Sequence, residues 1–241
     1  MGMIAWKTAF ALRMIDDYSG KCILKKKFQF KAEGGVCHPV EKEEGIYVFL
    51  EPMGDRVHVE ITGTDYYGGR VIVEKKNLDP AEPIADVRLC GKPGRDFPYR
   101  CALVTGRLAS EEGEYPTWVY AKRPALPGLA LKECRMIENE NWLNFSGFTR
   151  ESLVGKVFSL GSGEETDVFI IAEKRGINEY RIEGKLDFKH APGTRLTRMY
   201  RSVTDEKGAY AIPVEMGDEA KISEVMTLQH KSSHHKGREE V

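Results

Sequence analysis

The residues best equipped for chemistry are thinly spread along this chain. Cys37-His38 puts a thiol beside an imidazole, the arrangement of a nucleophile and its base. Neighbouring residues of an extended chain point to opposite faces, so the two would meet only at a turn, and no oxyanion donors stand nearby. His190 has no second His or Cys at ligand spacing, which leaves it without partners as a base or metal ligand. His230, His234 and His235 suit Ni or Zn, but residues 229–241 have no apolar periodicity and are expected to form a flexible tail without preorganised geometry. Gly161-Ser162-Gly163 is followed by TDVFIIAE, which reads as a strand, whereas a phosphate loop requires a helix N-terminus. The acidic runs at 41–44, 111–114, 164–167 and 205–206 are consecutive, while calcium loops place acids at alternate positions around a glycine; solvated turns fit better. The expectation is therefore no catalytic, cofactor-binding or metal residue. Exposed aromatics remain. Tyr66-Tyr67 beside Gly68-Gly69, and Trp118 with Tyr120, form a candidate contact surface for protein or sugar. For Trp118 and Tyr120 the competing reading is the core of a sandwich.

The elements that must hold these residues are strands. Period-2 alternation broken by Gly, Asp and Asn recurs throughout. WKTAFALRMID places Phe10, Leu12 and Met14 on one side, and RVHVEITG alternates Val57, Val59 and Ile61 against Arg56, His58 and Glu60. CILKKKFQFKA reads as one strand, its lysines suiting an edge. Strands follow at IYVFL, RVIVEKKNL and IADVRL, the spacing of a β-sandwich. A Pro/Gly-rich stretch at 79–99 marks a domain boundary. CALVTGRLAS and YPTWVYAKRP open the second half. Residues 124–148 read as loop with a short helix, because LALKECRMIENENWL fits neither period well. Strands return at VGKVFSLG, TDVFIIAEK, EYRIEGKL, RLTRMYRSV, AYAIPVEMG and ISEVMTL.

Composition bounds the class. The chain has 241 residues, 36 Lys+Arg against 37 Asp+Glu, and a net charge of −1. That balance argues against a phosphate-neutralising nucleic-acid binder. The 24 glycines and 11 prolines exceed what an all-helical chain carries. No stretch approaches the roughly 20 apolar residues of a membrane span, and the N-terminus lacks the features of a secretory signal. Cys22, Cys37, Cys90, Cys101 and Cys134 are odd in number and scattered, as expected of reduced thiols in a protein synthesised in the cytoplasm.

Two parts of the chain repeat a pattern. KEEGIYVFLEPMG at 42–54 and TDEKGAYAIPVEMG at 204–217 share an acid–Gly–x–Tyr core, with Gly45 and Gly208 expected at positive φ in tight hairpins. TDEKGAYAIPVE resembles the T-D-x-x-G-x-Y-x-I-P-V stretch of carboxypeptidase regulatory-like, or prealbumin-like, domains, whose opening strand is similar to Val104-Thr105-Gly106-Arg107-Leu108. The first half resembles a more diverged copy. Residues 154–194 are similar to a β module of bacterial surface and phage-like proteins, in which a histidine at the place of His190 fixes the last hairpin turn.

These resemblances imply an all-β protein of two antiparallel β-sandwiches of prealbumin/Ig-like kind, the second carrying a small β-barrel-like insert. The domains would be 1–98, then 99–124 plus 201–228, with 125–200 inserted and 229–241 as tail. The function they imply is a non-enzymatic structural or adaptor subunit of a multi-protein assembly, such as a phage tail-like or contractile particle. Its partners would be other protein subunits, without nucleic acid, cofactor or membrane insertion. A carbohydrate-binding or adhesion module using the aromatics is the alternative.

Overall fold

The computed structural model describes residues 7–227 except 51, 96, 98, 99, 109–116, 125–127, 139, 151 and 185. The tail histidines and the acidic run at 111–114 lie outside the described residues. The described chain is all-β: its helical segments are three single 3-10 turns, none longer than three residues.

The first unit runs β1 (Thr8–Asp16), β2 (Phe28–Ala32), β3 (Gly35–Cys37), β4 (Val40–Lys42), β5 (Ile46–Leu50), β6 (Arg56–Gly63), β7 (Gly69–Glu74) and β8 (Ile84–Leu89). They form two sheets, β4-β5-β1-β8 and β3-β2-β6-β7. Alternation decides which side chains meet between them: Phe10, Leu12 and Met14 of β1 pack in one core with Phe30, Val57, Val59 and Ile61. Phe10 stacks on Phe49 at 4.7 Å between centroids, and Phe30 meets Phe49 edge-on at 5.6 Å. β8 pairs with β1 in parallel, from Ala11↔Ile84 to Asp16↔Leu89, where an antiparallel sandwich was expected. The chain from 75 to 83 crosses from the edge of one sheet to the edge of the other, so β8 enters running the same way as β1. The expected strand over CILKKKFQFKA is also shorter. It begins only at Phe28, because Lys25 has a left-handed φ of 57° that interrupts extended pairing.

The second half runs β9 (Cys101–Arg107), β10 (Trp118–Lys122), β11 (Leu129–Ile137), β12 (Glu140–Gly147), β13 (Val157–Leu160), β14 (Asp167–Arg175), β15 (Glu179–Glu183), β16 (Thr197–Val203), β17 (Ala209–Glu215) and β18 (Glu224–Met226). The segment expected as loop and short helix is the β11–β12 hairpin. Its period is broken by a register shift between Leu131 and Glu133, which turns the side-chain alternation over and hides the strand from a pattern count. Strands β11-β12-β15-β14-β13-β16 follow one another in one sheet. The lead-in to β16 returns to β11 through Leu131 N–H to Thr194 O and Gly193 N–H to Leu131 O, each 2.7 Å, closing a small barrel. Leu129, Leu131, Leu143, Phe145, Phe158, Leu160, Phe169 and Ile171 fill it.

β16 belongs to two bodies. Its Leu196 lead-in faces the barrel core, whereas Tyr200 packs with Val119, Ala121, Ile212 and Val214 in a second sandwich made by β9-β17 over β10, β16 and β18. The strands ending near Arg123 and beginning near Arg201 do lie side by side, with Tyr120 opposite Arg201. The boundary drawn at 200/201, however, falls inside β16.

Gly45 and Gly208 have φ of 70° and 77°. Gly45 closes the β4–β5 hairpin. The Gly208 turn, in which Asp205 Oδ1 accepts the N–H groups of Lys207 and Ala209, instead links β16 to β17 of the other sheet, so it is a corner rather than the expected hairpin. The pairing repeats even so: β1 runs antiparallel to β5 and β9 to β17, with Tyr47 opposite Leu12 and Tyr210 opposite Gly106. No helix among the described residues is long and apolar enough to cross a membrane.

Candidate functional site

The aromatics proposed as a contact surface are mostly inside. Tyr66 and Tyr120 are buried, and Trp118 and Tyr67 are half-buried. They line a polar junction between the first unit and the second half. Asp17, at the end of β1, accepts two hydrogen bonds from Arg201 on β16, at 2.8 and 2.5 Å, and that guanidinium lies 4.6 Å over Trp118. Trp118 in turn stacks on Tyr120. Asp16 accepts from Arg95 at 2.6 Å and from the Tyr66 hydroxyl at 3.0 Å, with Arg95 over the Tyr66 ring. Burial first, then the Asp16 charge, pushes the Tyr66 phenol well above its usual range. Burial likewise raises the Cys90 thiol beside Asp17. Burial pulls Arg201 down, but its bonds to Asp17 more than offset this, and the guanidinium is held charged. A paired carboxylate and guanidinium that satisfy each other here join two bodies; neither is left to act on a substrate. Tyr66 packs in the core of the first sandwich, and Tyr120 packs with Val157, Ile170 and Met199, the interior position of its competing reading.

His190 is also held inside. Its Nε2 donates to Asp167 at 2.8 Å, with both side chains buried. Asp167 also accepts the N–H groups of Asp187 and Phe188, so one carboxylate gathers the turn before β16. Gly161-Ser162-Gly163 links β13 to β14, two strands, and offers no helix end. Among the described residues, no three of His, Cys, Asp and Glu are placed to hold a metal ion.

The open feature is a groove of about 470 Å³ on one side of the first sandwich, within the roughly 300–1,000 Å³ range of ligand sites. It exists because β3 is short. β2 and β3 join through a two-residue turn at Glu33-Gly34 and pair only as far as Phe30↔Cys37. Continuing that register would set His38 opposite Gln29 and Pro39 opposite Phe28, but Pro39 has no N–H to give, and the chain crosses there to β4 in the other sheet. The gap reaches the side of the core, where Phe28 is half-buried and Phe30 and Tyr47 remain buried. Phe28, Phe30 and Tyr47 floor it, with Phe30 to Tyr47 4.8 Å and Phe28 to Tyr47 5.9 Å between centroids. Tyr47 donates to Lys26 O at 2.9 Å and lies 3.4 Å from Glu41; burial, then Glu41, pushes its phenol up to about 12.

Cys37 and His38 both line this groove. Burial raises the Cys37 thiol, with a lesser opposing effect from a hydrogen bond to the Ala32 backbone. A thiol favoured in its neutral form is a weaker nucleophile than a thiolate. Sequence reasoning reached Cys37 and His38 but missed Phe28, Phe30 and Tyr47 as a floor. The available signal was the His38-Pro39 break placed only six residues after Ala32. Comparison with known proteins finds no matching family model, no similar curated protein and no similar solved structure.

Proposed function

We propose that this chain is a non-enzymatic structural or adaptor subunit of a multi-protein assembly. The observation that carries the reading is the side groove of the first sandwich, where three aromatic rings stand beside a thiol held in its neutral form. Apolar floors with a polar rim are built for holding a partner, and a protonated thiol does not favour covalent chemistry. The buried Asp17–Arg201 pair supports the same role, because a connector must carry its binding face on a fixed body. The phage tail-like or contractile kind of particle is the assembly suggested by the likeness of residues 154–194 to a β module of bacterial surface and phage-like proteins. A bound glycan gains little from Tyr66 and Tyr120, which are buried.

Gentle isolation of the chain from its source cells, followed by native mass spectrometry, tests the proposal. The expected result is a complex of fixed stoichiometry with other protein chains. A chain recovered at 27.2 kDa alone, with no stoichiometric partner, contradicts it.

A further inference from the structure

The groove lies along a sheet edge that has lost its partner, and the register shows which main-chain groups face it. Glu33 N–H bonds His58 O on β6. In an antiparallel strand alternate residues bond to alternate sides, so Gln29, Lys31 and Glu33 face β6, while Phe28, Phe30 and Ala32 face β3. Phe30 and Ala32 find β3 there. Lys26, on the same side, gives its carbonyl to the Tyr47 hydroxyl. Phe28 lies beyond the end of β3, so its N–H and C=O open into the groove.

The side chains around this edge specify what would fit. Phe28 and Phe30 point inward over Tyr47, leaving an apolar recess for one inward side chain. Lys27 and Lys31 are exposed along the outer face, and among the described residues neither has an ion-pair partner. The nearby acids are engaged: Glu60 pairs with Arg70 at 3.0 Å, and Glu41 lies against the Tyr47 hydroxyl. Val36, 69% exposed, extends the apolar surface on the rim opposite Lys31.

We infer that the groove receives an extended acidic peptide strand of a partner protein, added to the free edge of β2 at Phe28. Main-chain hydrogen bonds to Phe28 would fix it, an apolar residue would fill the recess over Phe28, Phe30 and Tyr47, and acidic residues on its outer side would meet Lys27 and Lys31. A strand has period 2, so the matching sequence alternates apolar and acidic residues. This deepens the adaptor reading and rests on it, by naming the kind of segment the adaptor holds.

The test uses the full chain and a fluorescein-labelled ten-residue peptide alternating valine and glutamate, with a valine–lysine peptide and a proline-interrupted acidic peptide as controls. Fluorescence anisotropy should show saturable binding of the valine–glutamate peptide alone, weakened at least tenfold in the Lys27→Glu/Lys31→Glu variant. Both lysines are exposed, so the variant should fold, and circular dichroism checks that it does. Amide exchange at Phe28 should slow when the peptide binds. Binding that ignores the charge reversal, equal binding of the proline-interrupted peptide, or no binding of any peptide would each overturn the inference. So would self-association of the chain through this edge, or an oligosaccharide that occupies the groove while the peptide does not. An intact native complex that is indifferent to the charge reversal would refute the groove inference and leave the adaptor reading standing; loss of both results would refute the two together.

Discussion

Replacing Arg201 with methionine should separate the first unit from the rest of the chain energetically. Asp17 and Arg201 are 184 residues apart in sequence, and their side chains are 4% and 16% exposed. In the Arg201→Met variant the Asp17 carboxylate stays buried, and among the described residues its remaining side-chain hydrogen-bond partner is the weak Cys90 thiol at 3.8 Å. Breaking one side of a buried pair costs about 3–5 kcal/mol, because the abandoned charge keeps its desolvation penalty. Removing both charges in Asp17→Leu/Arg201→Met should recover most of that loss, since apolar groups of similar size tolerate the same site. Urea unfolding followed by tryptophan fluorescence is a suitable assay, because Trp118 lies directly beneath the guanidinium and reports the junction. A single variant that costs under about 1 kcal/mol, the range of solvent-exposed pairs, would mean the junction is wet and the two bodies are not firmly joined. A double variant as damaged as the single one would refute the charge argument specifically.

Other outcomes follow from individual positions. Gly45→Val and Gly208→Val should each lose about 1–2 kcal/mol to left-handed backbone strain, measured by chemical denaturation. Gly45→Val should carry a steric cost in addition, since its Cβ would stand 2.5 Å from the Ile23 carbonyl oxygen; a neutral Gly45→Val would contradict the hairpin geometry. Asp218 opposes its own burial through bonds from Tyr200 at 2.6 Å, Lys221 at 3.0 Å and Arg123 at 2.8 Å, which together hold its pKa below the ordinary 3.8. Its stabilising contribution is complete above that ordinary value and is lost as pH falls through the depressed one, so stability measured from about pH 4 downward should fall less steeply in Asp218→Asn. Iodoacetamide labelling of the native protein, mapped by mass spectrometry, should modify exposed Cys134 early and fully buried Cys90 only on unfolding. Equal rates at the two thiols would contradict the junction's burial.

The sequence revealed faces more readily than partners. Phe10, Leu12 and Met14, or Val57, Val59 and Ile61, alternate cleanly, and all six are core. The same pattern cannot say that β8 pairs in parallel with β1, because register and direction depend on where the chain crosses between sheets. The bulge between Leu131 and Glu133 concealed a hairpin by shifting the period midway. Tyr66 is buried in the core of its own sandwich with Arg95 over its ring, and Tyr120 in a cluster with Val157, Ile170 and Met199 from strands distant in sequence, which no local pattern contains. The groove was hidden for a different reason: it is made by an absence, the early end of β3 where the chain crosses to β4 of the other sheet, and alternation within a strand does not show where pairing stops.

Site-specific photo-crosslinking at Val36 in the source cells tests the adaptor role at its proposed point of contact. Val36 stands exposed on the groove rim, so a benzophenone side chain there would lie beside an added strand without entering the core. The expected result is one dominant protein adduct, mapped by mass spectrometry to a segment alternating acidic and apolar residues and suppressed by excess valine–glutamate peptide. No protein adduct at Val36, or one that maps to a helical or basic segment and persists under competition, would contradict a subunit that holds its partner through the first sandwich.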